Sequence, residues 1–134
     1  MHEFHWPVRV YYEDTDSGGV VYYANYLKFM ERARTEWLRS LGFEQDRLAC
    51  EQGIIFAVTE VELRYLRPAR FNDALTVTAR VSERGRASLR FAQTVRRGDE
   101  ILCEGHIRIV SLDAASFRPR AVPEGIIEEI SDVD

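Results

Sequence analysis

Apolar and polar residues alternate along five stretches of the chain, and this period of two predicts a β-strand in each. The predicted strands cover residues 6–13, 55–66, 75–83, 87–96 and 101–112. Gly85 separates the third strand from the fourth, and an Arg-Gly-Asp stretch at residues 97–99 separates the fourth from the fifth. Because glycine and aspartate favour tight turns, we expect the last three strands to form two successive hairpins.

A different period appears between the first two strands. From Leu27 to Leu41 apolar residues recur at intervals of three and four, which predicts an amphipathic helix. The helix is expected to start between Tyr22 and Asn25, and Gly42 is placed to end it. Residues 44–52 predict a short second helix.

The predicted order of elements is one strand, a long helix, a short helix and four strands. This order indicates a single α+β domain over residues 1–134. The most economical packing wraps a five-stranded antiparallel sheet around the long helix, an arrangement that resembles the hotdog fold. One helix covers only one face of such a sheet, so the other face and the edge strands stay exposed. We therefore expect the protein to form oligomers through the sheet.

Charge is distributed unevenly along the chain. The net charge is -4, yet residues 121–134 contain five acidic residues and no basic one, so the remainder is close to neutral. This pattern predicts an acidic C-terminal tail and argues against nucleic-acid binding. No apolar stretch approaches the ~20 residues that cross a bilayer, and residues 1–7 lack the features of a signal peptide. We therefore expect a cytoplasmic protein without a transmembrane segment.

Metal sites are not predicted from the residue pattern. The two cysteines stand far apart, without the Cys-x-x-Cys or Cys/His pairs that bind zinc, and are typical of buried apolar positions. Asp14, Asp16 and Gly19 match the start of a calcium loop, but Asn25 occupies the position of its bidentate glutamate. We expect neither a metal nor a cofactor.

The densest candidate chemistry lies in residues 11–26, which contain three acids, two adjacent glycines and five tyrosines. A carboxylate at a strand end can act as a general base or nucleophile, and a helix N-terminus close to it can hold a developing oxyanion. Gly18 and Gly19 would let a ligand approach the backbone closely. The residue types leave a second interpretation equally open, in which the acids cap turns that the glycines form.

Residues 9–26, with their Asp-x-Asp-x-x-Gly-x-Val-Tyr segment, and residues 31–36, 68–70 and 118–123 resemble the Tol–Pal-associated acyl-CoA thioesterases. These enzymes belong with the 4-hydroxybenzoyl-CoA thioesterase branch of the hotdog superfamily. The resemblance extends over nearly the whole chain. It implies the hotdog fold, an acyl-CoA substrate and hydrolysis to a carboxylic acid and free CoA.

The resemblance also implies two catalytic residues. Asp16 corresponds to the family's nucleophile or general base, and Tyr23 to the residue whose backbone N–H polarises the thioester carbonyl. Tol–Pal-associated members usually carry histidine at the position of Tyr23, whereas the aromatic-acyl branch carries tyrosine. A backbone donor does not depend on the side chain, so the resemblance predicts catalysis here but leaves the acyl preference open.

Hotdog enzymes place the active site between protomers, which implies a homodimer or homotetramer. The substrate-binding residues that the resemblance implies lie in the loop within residues 11–26, here called the catalytic loop, and in a second loop near the nucleotide end of CoA. They are Gly18, Gly19 and Tyr22 in the first loop and Arg84, Arg86 and Ser88 in the second. An acyl carrier protein is a further candidate partner.

Two other functions remain open from the sequence. A non-catalytic module would bind acyl-CoA or an acyl carrier protein without releasing thiol. A hotdog dehydratase would need a histidine near the acyl β-carbon. The catalytic loop contains no histidine, so His106 would have to serve.

Overall fold

The computed structural model describes residues 3–130, and within them the chain forms five β-strands and three α-helices. In chain order these are β1 (Phe4–Arg9), α1 (Asn25–Ser40), α2 (Gln45–Arg47), β2 (Ile54–Tyr65), β3 (Ala74–Arg84), β4 (Ser88–Arg97), β5 (Glu100–Asp113) and α3 (Glu124–Glu129). A single 3-10 turn covers Tyr12–Asp14, and a π-helical turn over Leu48–Gln52 continues α2.

The strands form one antiparallel sheet in the order β1-β3-β4-β5-β2. The two predicted hairpins are present, β3–β4 around Gly85 and β4–β5 around Gly98, whose φ of 61° suits glycine. β1 and β2 are the edge strands. The predicted α+β class and the hotdog arrangement, a five-stranded antiparallel sheet around one long helix, are confirmed.

The core lies between α1 and the inner face of the sheet. Phe29, Met30 and Ala33 on α1 are completely buried, and Trp37 packs edge-on against Phe91 of β4 with ring centroids 5.1 Å apart. α1 begins at Asn25 and ends before Gly42, whose φ is 94°, as the apolar periodicity predicts.

Gly105 of β5 lets the helix lie close to the sheet. A Cβ at this position would lie 2.7 Å from Cδ2 of Leu63 and 3.0 Å from Sδ of Met30. Both distances are below ordinary van der Waals contact, so any larger residue would push α1 or β2 outward.

The first strand is shorter than predicted. β1 ends at Arg9, and residues 11–13 leave the sheet although their polarity alternates. The reason is a local cap, because the Asp14 carboxylate accepts a hydrogen bond from the N–H of Tyr11 at 2.8 Å and closes the 3-10 turn. Aspartate side chains compete in this way with the hydrogen bonds of a strand.

The acidic C-terminal segment contains α3, a helix that the polarity pattern does not predict. Val122, Ile126 and Ile130 in this segment are buried in the core, while Glu124 and Glu128 are exposed. The helix therefore presents an apolar side to the protein and an acidic side to solvent. The last four residues of the predicted tail lie outside the described residues.

Candidate active site

The catalytic loop predicted from the sequence is a tightly hydrogen-bonded turn attached to the sheet. The N–H of Asp16 donates to the carbonyl of Val20 at 2.9 Å, and the N–H of Gly19 donates to the carbonyl of Asp16 at 3.0 Å. Gly19 has a φ of 81°, a conformation that favours glycine. The N–H of Val21 donates to the carbonyl of Ala69 at 2.8 Å, which fixes the loop beside the chain segment that leads into β3.

The carboxylate of Asp16 is held in one orientation by backbone donors. Its Oδ1 accepts a hydrogen bond from the N–H of Gly18 at 2.8 Å and a longer one from the N–H of Val20 at 3.4 Å. A Cβ on Gly18 would lie 3.2 Å from this oxygen, so glycine here leaves room for the carboxylate to fold back. Oδ2 has no hydrogen-bond donor among residues 3–130 and the residue is exposed. One oxygen is therefore positioned while the other is available for chemistry.

The neighbouring acid, Asp14, has a structural role instead. Its side chain caps the 3-10 turn, and its carbonyl oxygen accepts from the N–H of Tyr22 and from Nδ2 of Asn25, both at 2.9 Å. Asn25 is buried and is the first residue of α1. Asp14 thus ties the catalytic loop to the start of the helix.

The N-terminus of α1 offers free backbone donors. The N–H groups of Tyr23 and Ala24 have no acceptor within residues 3–130, while the carbonyl of Tyr23 accepts from the hydroxyl of Tyr65 at 2.8 Å. Unpaired N–H groups and the positive end of the helix dipole are suited to stabilise a developing oxyanion. The turn that carries them is fixed by the N–H of Asn25, which donates to the carbonyl of Tyr22 at 2.8 Å.

Exposed tyrosines surround the catalytic loop. The rings of Tyr22 and Tyr23 lie 4.7 Å apart, and the hydrogen bond from Tyr23 raises the pKa of Tyr22. Tyr65 packs edge-on against Tyr26 at 5.4 Å, and partial burial raises the pKa of Tyr65. The phenols of Tyr22 and Tyr65 therefore stay neutral near pH 7, so they add apolar surface and hydrogen-bonding groups but no charge to the site.

The second predicted group of binding residues lies far from this loop within one protomer. Arg84, Arg86 and Ser88 belong to the β3–β4 hairpin, in which the N–H of Gly85 donates to the carbonyl of Ser88 at 2.9 Å. The catalytic loop lies beside Arg70, just before the first residue of β3, whereas the hairpin follows its last residue. The 11 residues of β3 span about 33 Å. A single protomer does not bring the two groups together.

Arg34 is a partly buried cation that the motifs do not mark as a candidate site residue. It lies on the side of α1 that faces the sheet, and its Nη1 donates to Oε1 of Gln93 at 2.9 Å. The sequence feature that could have drawn attention to Arg34 is its position within the apolar stripe of the helix, where a cation is unusual.

Several other chemistries find no support in the described part of the chain. Residues 3–130 contain no group of three His, Cys, Asp or Glu side chains that could hold a metal ion. Burial raises the pKa of the Cys103 thiol to about 12, which makes this cysteine a poor nucleophile.

None of the helices within residues 3–130 is long and apolar enough to cross a membrane.

Known proteins resemble this chain closely. It is 42% identical over 127 residues to the acyl-CoA thioester hydrolase YbgC of Escherichia coli, with 94% of each chain covered. It is 43% identical over 123 residues to the acyl-CoA thioesterase YbgC of Haemophilus influenzae, covering 92% of this chain and 90% of that one.

Solved structures share the fold over nearly the whole chain. A probable thioesterase from Bartonella henselae has a TM-score of 0.87 at 34% identity, covering 91% of this chain and 100% of that chain. A 1,4-dihydroxy-2-naphthoyl-CoA thioesterase from Synechocystis has a TM-score of 0.90 at 19% identity, covering 99% of this chain and 98% of that chain, and shows the fold alone. The profile of the thioesterase superfamily matches residues 18–104. The chain therefore belongs to the thioesterase superfamily, in agreement with the family that its motifs predict.

Proposed function

We propose that this protein hydrolyses acyl-CoA thioesters, with Asp16 as the nucleophile or general base and the backbone N–H of Tyr23 as the oxyanion donor. The observation that carries the proposal is the arrangement of the loop. The Asp16 carboxylate is fixed by the Gly18 N–H at 2.8 Å, and the loop leads directly into a helix whose first N–H groups have no acceptor among the described residues. The names of the relatives, acyl-CoA thioesterases, support the same reaction.

Two routes fit this arrangement. In the covalent route, a carboxylate oxygen of Asp16 attacks the thioester carbon, the C–S bond breaks and CoA leaves as a thiolate that solvent protonates. Water then hydrolyses the resulting mixed anhydride and regenerates the carboxylate. In the other route, Asp16 takes a proton from a water molecule as that water attacks, and the proton passes to the departing thiolate. In both routes the carbonyl oxygen gains negative charge beside the Tyr23 N–H. By analogy with known oxyanion holes, a hydrogen bond from this N–H would stabilise the transition state by about 3–4 kcal/mol.

The same proposal includes a homodimer whose active sites are shared. β2 is an exposed edge, with Val58, Val61 and Tyr65 between 46% and 49% exposed. Such an edge is a template for pairing with a second strand. Antiparallel pairing of two β2 strands around a two-fold axis would place the start of one β2 beside the end of the other.

This pairing would bring the two groups of predicted site residues to the same end of the double sheet. The end of β2 at Tyr65 contacts the catalytic loop through the Tyr23 carbonyl. The start of β2 lies at the hairpin end, because Ala57 pairs with Val110 and Val110 pairs with Ser88. The partner subunit's Arg84, Arg86 and Ser88 would therefore approach the catalytic loop, where their side chains suit the phosphates of CoA. A homotetramer, an acyl carrier protein partner and a cytoplasmic location stay predictions.

The dehydratase alternative has less support from the geometry. His106 is exposed and alternates with buried Gly105 and Ile107 on β5, so it lies on the face of the sheet opposite α1. A histidine on that face does not reach an acyl group held at the N-terminus of α1.

The deciding experiment is substitution of Asp16 by asparagine, which keeps the shape of the side chain and removes its charge. Thiol release from a panel of acyl-CoA esters should fall by about a hundredfold or more, with unchanged thermal unfolding. Asp14→Asn is the matched control, because asparagine can still accept the hydrogen bond of the Tyr11 N–H, and its activity should stay near that of the unmodified protein. Wild-type turnover by folded Asp16→Asn protein would refute the catalytic assignment. Tight acyl-CoA binding without thiol release by the unmodified protein would instead favour the non-catalytic module.

A further inference from the structure

Arg34 is the one partly buried cation on α1, because Lys28, Arg32 and Arg39 are exposed. Its single hydrogen bond to a described residue goes from Nη1 to Oε1 of Gln93 at 2.9 Å. Burial lowers the pKa of Arg34 to about 10, and the Glu31 carboxylate one turn away opposes this shift. The guanidinium is therefore still charged at neutral pH, although its hydrogen-bond partner among residues 3–130 is a neutral amide.

Gln93 offers that charge only its uncharged amide oxygen. It is only 2% exposed, and its Nε2 donates to the carbonyls of Met30 and Thr78, both at 3.1 Å. These bonds fix the orientation of the amide and direct Oε1 toward Arg34. A guanidinium has five N–H donors, so most of those on Arg34 have no acceptor among residues 3–130.

Arg34 lines a pocket of about 240 Å³ between α1 and β2. The polar residues of this pocket besides Arg34 are Glu31, Thr35 and Gln45, and the rest of its wall is formed by apolar side chains of α1, the sheet and α3, Trp37 and Val58 among them. The indole N–H of Trp37 is buried and also has no acceptor among the described residues. The pocket is thus a largely apolar cavity that contains N–H groups of Arg34 and Trp37 without hydrogen-bond acceptors among residues 3–130.

A second recess continues this pocket toward the N-terminus of α1. It shares Glu31, Arg34 and Val58 with the pocket and adds Leu27 and Lys28. Together the two recesses form one groove, here called the α1 groove, which runs along the helix beside the edge strand β2.

The α1 groove starts next to the proposed oxyanion donor. Leu27 follows Tyr23 by four residues and Arg34 follows it by eleven, which correspond to about 6 Å and about 16 Å along a helix. Long side chains on a helix lean toward its N-terminus, so the Arg34 guanidinium lies nearer to Tyr23 than its Cα does. An acyl group whose carbonyl meets the Tyr23 N–H can therefore extend along the groove with its far end at Arg34.

We propose that the α1 groove holds the acyl group and that Arg34 selects acyl groups carrying an acceptor oxygen, as a hydroxyl, oxo or carboxylate group, at the end remote from the thioester. This inference rests on the proposed acyl-CoA hydrolysis. Lys28 and Arg34 favour an anionic end and Glu31 opposes it, so the groove carries one excess positive charge. A methyl end would cover the guanidinium without offering it an acceptor, which is the situation in which a polar site discriminates most strongly.

The test compares matched substrates. Thioesters from butyryl-CoA to decanoyl-CoA are assayed beside their ω-hydroxy and ω-carboxy counterparts, and kcat/KM is measured by thiol release. At the best chain length, the oxygenated ester should exceed its methyl-ended counterpart by at least about tenfold. Equal kcat/KM values for the three esters at every length would overturn the inference while leaving the hydrolytic function intact.

Arg34→Met removes the donors while keeping a long side chain, and it should reverse the preference toward methyl-ended esters. Arg32→Met is the matched control, because Arg32 is exposed two residues away on the same helix, and it should leave the ratio unchanged. A purely structural role for Arg34 would lower activity on all esters equally and leave the ratio as in the unmodified protein, which would contradict the proposal.

Two further measurements keep the test decisive. If Arg34→Met does not fold, Arg34→Lys keeps the charge with fewer donors and should reduce the ratio by several fold, and an unchanged ratio would count against the proposal. Calorimetry measures how tightly the Asp16→Asn variant binds each of the same esters, and so reports the preference for an oxygenated end without turnover. Selective binding with no hydrolysis by the unmodified protein would support the groove and refute the proposed reaction, so the two failures are distinguishable.

Discussion

A shared active site makes a quantitative prediction about mixtures of two defective proteins. The catalytic loop and the β3–β4 hairpin are separated by about 33 Å along β3 within one protomer. If the partner's hairpin completes each site, Asp16→Asn and the double variant Arg84→Ala/Arg86→Ala damage different halves of the same site. A mixed dimer would then carry both defects in one site and neither in the other.

The expected magnitudes follow from this geometry. Asp16→Asn alone should lose about a hundredfold or more in kcat. Loss of two charge-assisted contacts to phosphate should raise KM by about tenfold to a hundredfold in the double variant. After equal mixing and random reassociation, half of the dimers are mixed and each has one intact site, so about a quarter of the wild-type activity should return.

The assay is thiol release at a substrate concentration below KM, after the two proteins are unfolded together in denaturant and refolded. Each variant treated alone in the same way provides the control, and the mixture must exceed the average of the two. Activity equal to that average would refute the shared site, because it would mean that the loop and the hairpin act within the same protomer or that the hairpin does not bind substrate.

Two other predictions concern the core. Gly105→Ala should lower the free energy of unfolding by about 1–3 kcal/mol, because its Cβ would lie 2.7 Å from Leu63 and 3.0 Å from Met30. Urea unfolding measures this loss, and the same substitution in a Leu63→Ala background should cost less if crowding is the cause. Stability should also fall as the pH rises above about 9. The buried Cys103 thiol has a pKa of about 12, so it stays protonated in the folded state while the exposed thiol of the unfolded chain ionises. In Cys103→Ala the fall in melting temperature between pH 8 and pH 10 should be shallower, and an identical slope would show that other groups cause it.

The elements with strong periodicity were predictable from the sequence. α1 and the strands β2 to β5 follow patterns of three-and-four or two over most of their length, and the turns at Gly85 and Gly98 have the expected residues. β1 was predicted too long because alternation continues through residues that the Asp14 side chain withdraws from the sheet. α3 was missed because its apolar residues, spaced by four, are interleaved with acids whose charge dominates the composition of the segment.

The candidate site was predictable only in part. Residue types alone do not distinguish Asp14 from Asp16, whereas hydrogen bonding assigns the first to the cap of a turn and leaves the second with an available oxygen. The separation of Arg86 from the loop depends on the long-range pairing of Val20 with Arg70 just before β3, which no local pattern contains. Arg34 was visible as a cation in an apolar stripe, but its pocket arises from residues scattered between Glu31 and Ile126.

The donors assigned to the thioester carbonyl are main-chain groups, and this has a consequence for how such a site can change over generations. A mutation at position 23 replaces the phenol of Tyr23 but leaves its N–H in the turn that Asp14 and Asn25 hold. Under the proposed mechanism, the reaction therefore does not depend on which side chain stands at this position, which is 62% exposed beside the loop. The side chain is free to diversify, so a library of variants at this single position should alter which acyl groups are accepted far more than how fast the preferred one is cleaved.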